Sequence, residues 1–388
     1  MSMDTLEVRS GASKTGNTKY EVVHPIKFGK DSTGFARELQ KRVDAYFEEK
    51  GISPKGNGWM YFKTIFVLSL FGGSYYLALF GGLPAWGSLL CAVVFGSALA
   101  MIAFNIGHDA AHHAYSNNNK INDFLAYSLN LIGVNRYIWH IKHNLSHHSF
   151  TNIPMADMDN ENIATARLTR HQKSRSLFRY QHLYLPFLWT VFSIYLTLVK
   201  DWQLFSMTRM GNNRYPGHPP KEWIILIFSK IFFIFYAFVL PFLVLDLPVW
   251  QIVLGIFVMH ACTGVLLASI FFFVHLLEDS PFPEEAAEGN IDKHWFVHQI
   301  EVTSDFAPEN RVLAWLAGGL NQHVAHHLFP DMCHVHYFDI TRIVRETCAE
   351  YGIRYRTKGF FEAFGSHLAF LKKMGTYNKP VPVFGFEM

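Results

Sequence analysis

Four stretches of the chain are apolar over the roughly 20 residues that a helix needs to cross a bilayer. They run over about residues 60–80, 86–106, 223–245 and 249–277. Only Gly81-Gly82-Leu83-Pro84-Ala85 separates the first two, and only Asp246-Leu247-Pro248 the last two, so the pattern predicts two tight helical hairpins. A fifth apolar stretch, Leu183 to Val199, is at about the minimum spanning length. If it spanned, the last helix would end opposite the histidine clusters described below. Parity therefore makes it an interfacial or re-entrant helix, and the shorter stretch Phe124 to Val134 receives the same reading. The expected fold is an all-α integral membrane protein: four transmembrane helices in two hairpins, interfacial helices, and a cytoplasmic cap holding a dimetal site. The expected division is a polar N-terminal segment, 1–57, and a membrane domain, 58–388.

Composition agrees with that picture. Half of the 388 residues are apolar, 16% are aromatic and only 17% are charged. Neither short link carries Lys or Arg, whereas the N-terminal segment and the 135–182 and 200–222 regions are rich in them. By the positive-inside rule the links face away from the cytoplasm. The first 57 residues show no apolar core segment of a signal peptide. A net charge of +3 is too small to suggest nucleic acid. The four cysteines form no C-x-x-C pair, which argues against a fused iron–sulfur or rubredoxin-like centre and suits a reducing compartment.

Nine of the 21 histidines fall in three short windows: His108, His112 and His113; His143, His147 and His148; His323, His326 and His327. Neutral imidazole is the commonest protein ligand for a transition metal, and so many ring nitrogens are too many for one ion and about right for two. On an α-helix, His108 with His112 and His143 with His147 are i, i+4 pairs stacked on one face. His323 with His326 is the i, i+3 equivalent. The arithmetic lets each pair converge on one metal and leaves the adjacent histidine about 100° further round, so each cluster can present ligands to two nearby ions, with His113 the weakest candidate. His275 ends the fourth span at the same predicted depth, and an ionisable residue there is a further ligand candidate.

The remaining polar candidates have plainer readings. His334 and His336, His294 and His298, and His140 are read as exposed or satisfied loop histidines, with orientation of ligands as the alternative. His260 is read as a satisfied core residue. Asn321 and Gln322 are candidates for holding ligands or water. Asp157, Asp159 and Glu161 would either neutralise a dicationic site or form a donor-docking face, but a solvated loop is the simpler reading. Arg136, Arg167, Arg170, Lys173, Arg175 and Arg179 would suit a phosphate-bearing headgroup, although cytoplasmic loops are basic in any case.

At these residues the chain resembles the integral-membrane fatty acid desaturase family, from about residue 60 to 375. Three histidine boxes occur in order between hydrophobic hairpins. Asn105-Ile-Gly-His108-Asp109, His147-His148-Ser-Phe-Thr-Asn152-Ile-Pro154 and His326-His327-Leu-Phe-Pro330 are similar to bacterial acyl desaturases. The resemblance implies a diiron centre on His108, His112, His143, His147, His148, His275, His323, His326 and His327, with O2 as co-substrate. It also implies a fatty acyl substrate on CoA, a carrier protein or a lipid. Two departures stand out. Close relatives often carry Gln and Glu where this chain has His323 and Ala325, a mark of front-end desaturases. Many also carry a fused cytochrome b5 domain; here only His24-Pro25-Ile26 remains of its haem motif, so a separate donor such as ferredoxin or cytochrome b5 with its reductase is expected.

The function so implied is O2-dependent desaturation of an acyl chain positioned in an apolar tunnel, with Phe271, Phe272 and Phe273 as candidate lining. Two alternatives bear on the same residues. A hydroxylase or ketolase would share every ligand. A metal transporter or sensor would need polar ligands along a path through the helices, and 60–80 and 223–245 contain almost none.

Overall fold

The structure is a computed structural model that describes residues 13–15, 18–22, 25–161, 164–283 and 289–377. His24 and the two chain ends expected to belong to the segments 1–57 and 58–388 lie outside the described residues. The chain is mostly helical and is a membrane protein; its described residues include five helical stretches long and apolar enough to cross a bilayer: Gly58–Phe80, Ala85–Ala111, Ser176–Phe205, Pro220–Val244 and Val249–His275.

Four of these are the predicted hairpin helices. The Asn57 side chain caps the first by accepting from Trp59 N and Met60 N, and Pro84 and Pro248 stand at the starts of the second and fourth. Their outward faces carry exposed Ile65, Phe228, Ile231, Leu243 and Val253, as lipid-facing helices do. Trp86 and Trp250 sit exposed beside the two links, where amphipathic rings favour the membrane–water boundary.

The fifth stretch is not one helix. It breaks at Trp189–Val191, where the turn tightens, and widens to a π turn at Leu196–Lys200. Its first end is tied down by Gln181, whose Nε2 donates to Arg167 O (2.9 Å) and Leu371 O (2.8 Å). Its middle lies against the centre of the fourth span, where Ser193 Oγ donates to His260 O (2.9 Å). Gly264 makes that approach possible: a Cβ there would stand 2.2 Å from Trp189 O. The far end returns to polar partners, with Lys200 Nζ on Glu161 O (3.3 Å) and Asp201 accepting from Asn135 N (2.8 Å) and Lys230 Nζ (2.6 Å). The apolar stretch near 124–134 forms the short helices Asn119–Ala126 and Ser128–Leu131, with Ile121, Phe124 and Tyr127 exposed.

The polar segments build a cap on the same end as the histidines. Helix Phe35–Lys50 buries Phe35, Leu39, Val43 and Phe47 against Tyr337–Glu350, and Arg42 pairs with Glu350 at 2.6 Å. Helix Phe360–Thr376 lies against Tyr180–Gln181 and the end of the fourth span. The expectation of a purely helical chain misses several short ladders. Thr18–Val22 pairs with Asn213–Arg214, Lys27–Phe28 with Asn290–Ile291, and Asp305–Phe306 with Thr357–Lys358. These strands join extended cap segments whose backbone groups would otherwise be buried without partners.

Candidate metal centre

Each histidine cluster reaches the centre through a local departure from the α-helix. The second span passes through a π turn at Ala103–Gly107 before the helical turn His108–Ala111. That turn ends at His113, which adopts a left-handed backbone (φ 57°) and points outward, its Nδ1 3.2 Å from Asn119 Oδ1. His113 therefore stands apart from the other clustered histidines. The second cluster lies in and just after a π turn, His140–His147, closed by His148 N donating to His143 O at 2.9 Å. The wider turn brings i+5 back over i, so His148 faces the same interior as His143. The third cluster is a short helix, His323–Leu328, whose start is held by Asp305 Oδ1 accepting from Val324 N (2.9 Å). Gly318 (φ 60°) lets the preceding loop touch the second span; a Cβ there would meet Phe104 O at 2.4 Å.

Nine imidazoles converge in two sets of four with one between. His108, His112, His143 and His326 form the first set, and His147, His275, His323 and His327 the second; within each, the ligand atoms lie within 4.8 Å of one another. His148 bridges them, grouped with His326 and His327 and with its Nε2 3.2 Å from His143 Nε2. The helical pairing expected from spacing is thus corrected twice. His143 and His147, carried on a π turn rather than an α turn, fall in different four-histidine sets, although they also share a smaller group with Asp159. His323 and His326 also separate; the i, i+4 pair His323 and His327 stays together. His275 Nε2 lies 3.1 Å from His327 Nε2, inside the second set.

The donor chemistry fits metal ions. Buried polar atoms normally have partners, yet both ring nitrogens of His108, Nε2 of His112 and His326, and Nδ1 of His148 have none. Burial holds His112, His148, His323, His326 and His327 far below the usual imidazole pKa and lowers His143 to about 3, against the pull of Asp159. Neutral rings with lone pairs aimed at a common interior are what a cation requires. His147 differs: burial lowers its pKa, but Asp157 and Asp159 outweigh burial and leave it raised.

The opposite ring edges are fixed by hydrogen bonds. His147 Nδ1 donates to Asp157 (3.0 Å), His143 Nδ1 to Asp159 (3.0 Å), His327 Nδ1 to Gln299 Oε1 (2.9 Å) and His323 Nδ1 to Leu320 O (3.1 Å). His326 Nδ1 lies 3.1 Å from the Tyr337 hydroxyl. Such contacts select the tautomer that presents Nε2 inward. Asp157 is 1% exposed, so the solvated-loop reading of the acidic trio is wrong for it and for Asp159: both orient histidines. Glu161 instead faces His171 (2.9 Å). Tyr337 and Gln299 were not anticipated, and nothing in their spacing marked them. His260 is the satisfied core residue expected, bonded to Ser193, while His298 is satisfied by Thr151 O but sits buried on the helix Trp295–Val302 rather than in a loop. His334 is not a loop residue at all but is buried on Asp109. Asn321 and Gln322 donate to Ala307 O and Pro308 O and so shape the loop before the third cluster.

An apolar cavity opens beside the histidines. His143, His147 and His275 form part of its wall, with Trp139, Phe271 and Phe272. Phe273, the third expected lining residue, turns instead into the packing around Phe306 and Phe364.

A helical membrane protein with buried histidine sets fit for metal, set against an apolar cavity, has the parts of a membrane-bound metalloenzyme. The fatty acid desaturase family model matches residues 82–359, and the chain belongs to that family. It is 33% identical over 359 residues to the sn-1 linoleoyl-lipid 6-desaturase of Synechocystis sp., covering 90% of this chain and 98% of the relative. Against the sn-1 linoleoyl-lipid 6-desaturase of Arthrospira platensis the identity is 33% over 358 residues, with 90% and 94% covered. Against the acyl-lipid (8-3)-desaturase of Physcomitrium patens it is 31% over 349 residues, with 89% and 72% covered.

Proposed function

We propose that this desaturase introduces a C=C bond into the acyl chain of a membrane lipid, using two iron ions and O2. The observation that carries the reading is the meeting of nine buried imidazoles, in two sets joined by His148, at the wall of an apolar cavity. His108, His112, His143 and His326 would hold one iron, and His147, His275, His323 and His327 the other, with His148 between them. Bound iron supplies the reductive activation of O2. In balance, one acyl CH2–CH2 unit, O2, two electrons and two protons give CH=CH and two waters. The protein's own share is positional: the Phe-lined cavity holds the chain with water excluded, and Asp157, Asp159, Gln299 and Tyr337 fix the rings. A lipid-linked acyl chain is favoured over CoA or carrier-protein esters because similar enzymes are named for linoleoyl-lipid and acyl-lipid substrates. The electrons come from a separate donor, a ferredoxin or a cytochrome b5 with its reductase.

The proposed topology is four spans, with 176–205 re-entrant and the metal centre and cap cytoplasmic. Both ends of 176–205 bond to cap residues only a few positions apart in sequence, Arg167 and Glu161, which favours a segment that enters and leaves on one side. The positive-inside rule supplies the sidedness. The division at residue 57 is retained as a proposal, with helix Phe35–Lys50 packed onto the cap.

Lipid analysis by mass spectrometry, on cells expressing the chain beside a His147→Ala variant, tests the reading. Acyl chains two hydrogens lighter, lost in the variant, are expected. A gain of one oxygen would assign a hydroxylase instead.

A further inference from the structure

The four spans part at the end away from the histidines. Gly96 of the second span backs onto the fourth, where a Cβ would stand 2.2 Å from Met259 O, and Thr263 Oγ1 donates to Gly96 O (2.8 Å). Beyond that crossing, towards the two links, an apolar pocket opens among the spans. Phe95 and Met259 line it at the crossing, Leu79 and Pro241 from the first and third spans. Gly255 also faces it, and its Cβ position meets no atom within 4 Å. Met259 lies sixteen residues before His275, about 24 Å of helix at 1.5 Å per residue. A molecule held here stays clear of the metal centre.

The polar groups of this pocket cluster near the links. Ser88 and Gln251 stand in the first turns of the second and fourth spans, and both line it. The Ser88 hydroxyl donates to Ala78 O (3.4 Å), and the Tyr75 hydroxyl is committed to Tyr236 O. Gln251 Oε1 is buried with no partner. A buried acceptor left without a donor is costly. Trp250, exposed beside Gln251, marks the depth as the membrane boundary, where lipid chains meet their heads.

Few lipid groups at that depth can donate. Ester carbonyls only accept, and so does a carboxylate. A free glycerol hydroxyl donates and sits beside the esters at the top of the chains. The hydroxyls of a sugar head lie farther out than a residue inside the first turn.

We propose that this pocket is a second lipid site, which takes an acylglycerol with a free glycerol hydroxyl. The hydroxyl donates to Gln251 Oε1, and one chain runs past Gly255 to the crossing at Phe95 and Met259. Gln251 to Met259 is eight residues, so the buried arm is about 12 Å long. The site stands whether or not the chain is a desaturase.

Photolabelling of the full-length protein in membranes tests this. The probes are a diacylglycerol carrying a diazirine midway along one chain and its methyl ether, which differs only in having no hydroxyl to donate. The diacylglycerol is expected to label residues 85–95 and 249–259 of the wild type. The ether should label them roughly 2–10-fold less, the loss of one hydrogen bond. In Gln251→Leu the two probes should label equally weakly. Gly255→Leu, and Ala92→Leu on the facing span, fill the pocket and should abolish labelling there in protein that melts like the wild type. The wild-type comparison needs no substitution. Equal labelling by both probes, or none at these residues, overturns the proposal. So does displacement of the probe by a sterol or a glycolipid at lower concentration than by unlabelled diacylglycerol.

Discussion

His334 Nδ1 donates to the carboxylate of Asp109 at 2.8 Å, and this contact ties two histidine clusters together. Asp109 adjoins His108 in the first cluster, and His334 follows the third. The same carboxylate oxygen accepts from His334 N (3.3 Å) and Cys333 Sγ (3.1 Å), and the other His334 nitrogen lies 2.9 Å from Lys63 Nζ on the first span. Asp109 is therefore the junction of a buried ionic network reaching from a membrane helix to the metal centre.

Removing one partner from a buried ionic network strands the others. Asp109→Asn should cost about 3–5 kcal/mol of stability by that mechanism, and metal affinity should fall roughly 10–100-fold as the tie between the first and third clusters is lost. Thermal unfolding together with metal titration checks both. Unchanged values in both would remove the junction from the account.

The broken segment rests on the fourth span through one glycine. Gly264→Ala places a Cβ 2.2 Å from Trp189 O and should destabilise by about 1–3 kcal/mol, as overpacking does. Gly255, on the same helix, has open space around its Cβ position, and Gly255→Ala should leave the melting temperature unchanged or slightly higher. Equal effects of the two would contradict the packing described.

The re-entrant reading has its own test in single introduced cysteines at Tyr180 and Gln203, both exposed. A membrane-impermeant thiol reagent should reach both from one side, the side that also labels Lys173→Cys. Asp246→Cys, in the second link, should label from the other. Labelling of Tyr180→Cys and Gln203→Cys from opposite sides would make the segment a fifth span.

The hydrophobic pattern made the four hairpin helices legible because a bilayer demands about 20 apolar residues without interruption. It located the histidines for a similar reason: few roles other than ligation place nine imidazoles in three short windows. What it missed is which histidines share a set. The spacing argument assumed 3.6 residues per turn, and the π turn His140–His147 changes the angle between His143 and His148. No residue in that turn announces the change. Asp157 was misread because a short run of carboxylates after a cluster looks solvated until a second segment folds over it. The contact of Asp109 with His334 joins residues 225 positions apart, beyond any local signal.

Acid should loosen the cap. His298 and His367 are held to about 4 by burial, while a free imidazole titrates near 6.5. Between those values the unfolded chain binds more protons than the folded one, so stability is full above 6.5 and is lost as the pH falls towards 4. His147 and Asp305, whose pKa values are raised, the latter to about 7, oppose this trend, but they are outnumbered by His112, His143, His148, His323, His326 and His327, which burial lowers as well. The melting temperature of metal-free protein should decrease steadily through that window, and His367→Gln should flatten the decrease. A melting temperature independent of pH there would contradict the burial of these rings.

The most direct test of the central claim is iron bound per chain, measured on purified wild type beside His113→Ala and His148→Ala. The account predicts two irons in the wild type and in His113→Ala, whose ring points away from the centre, and fewer than two in His148→Ala. One iron or none in the wild type, or a loss in His113→Ala equal to that in His148→Ala, would contradict it.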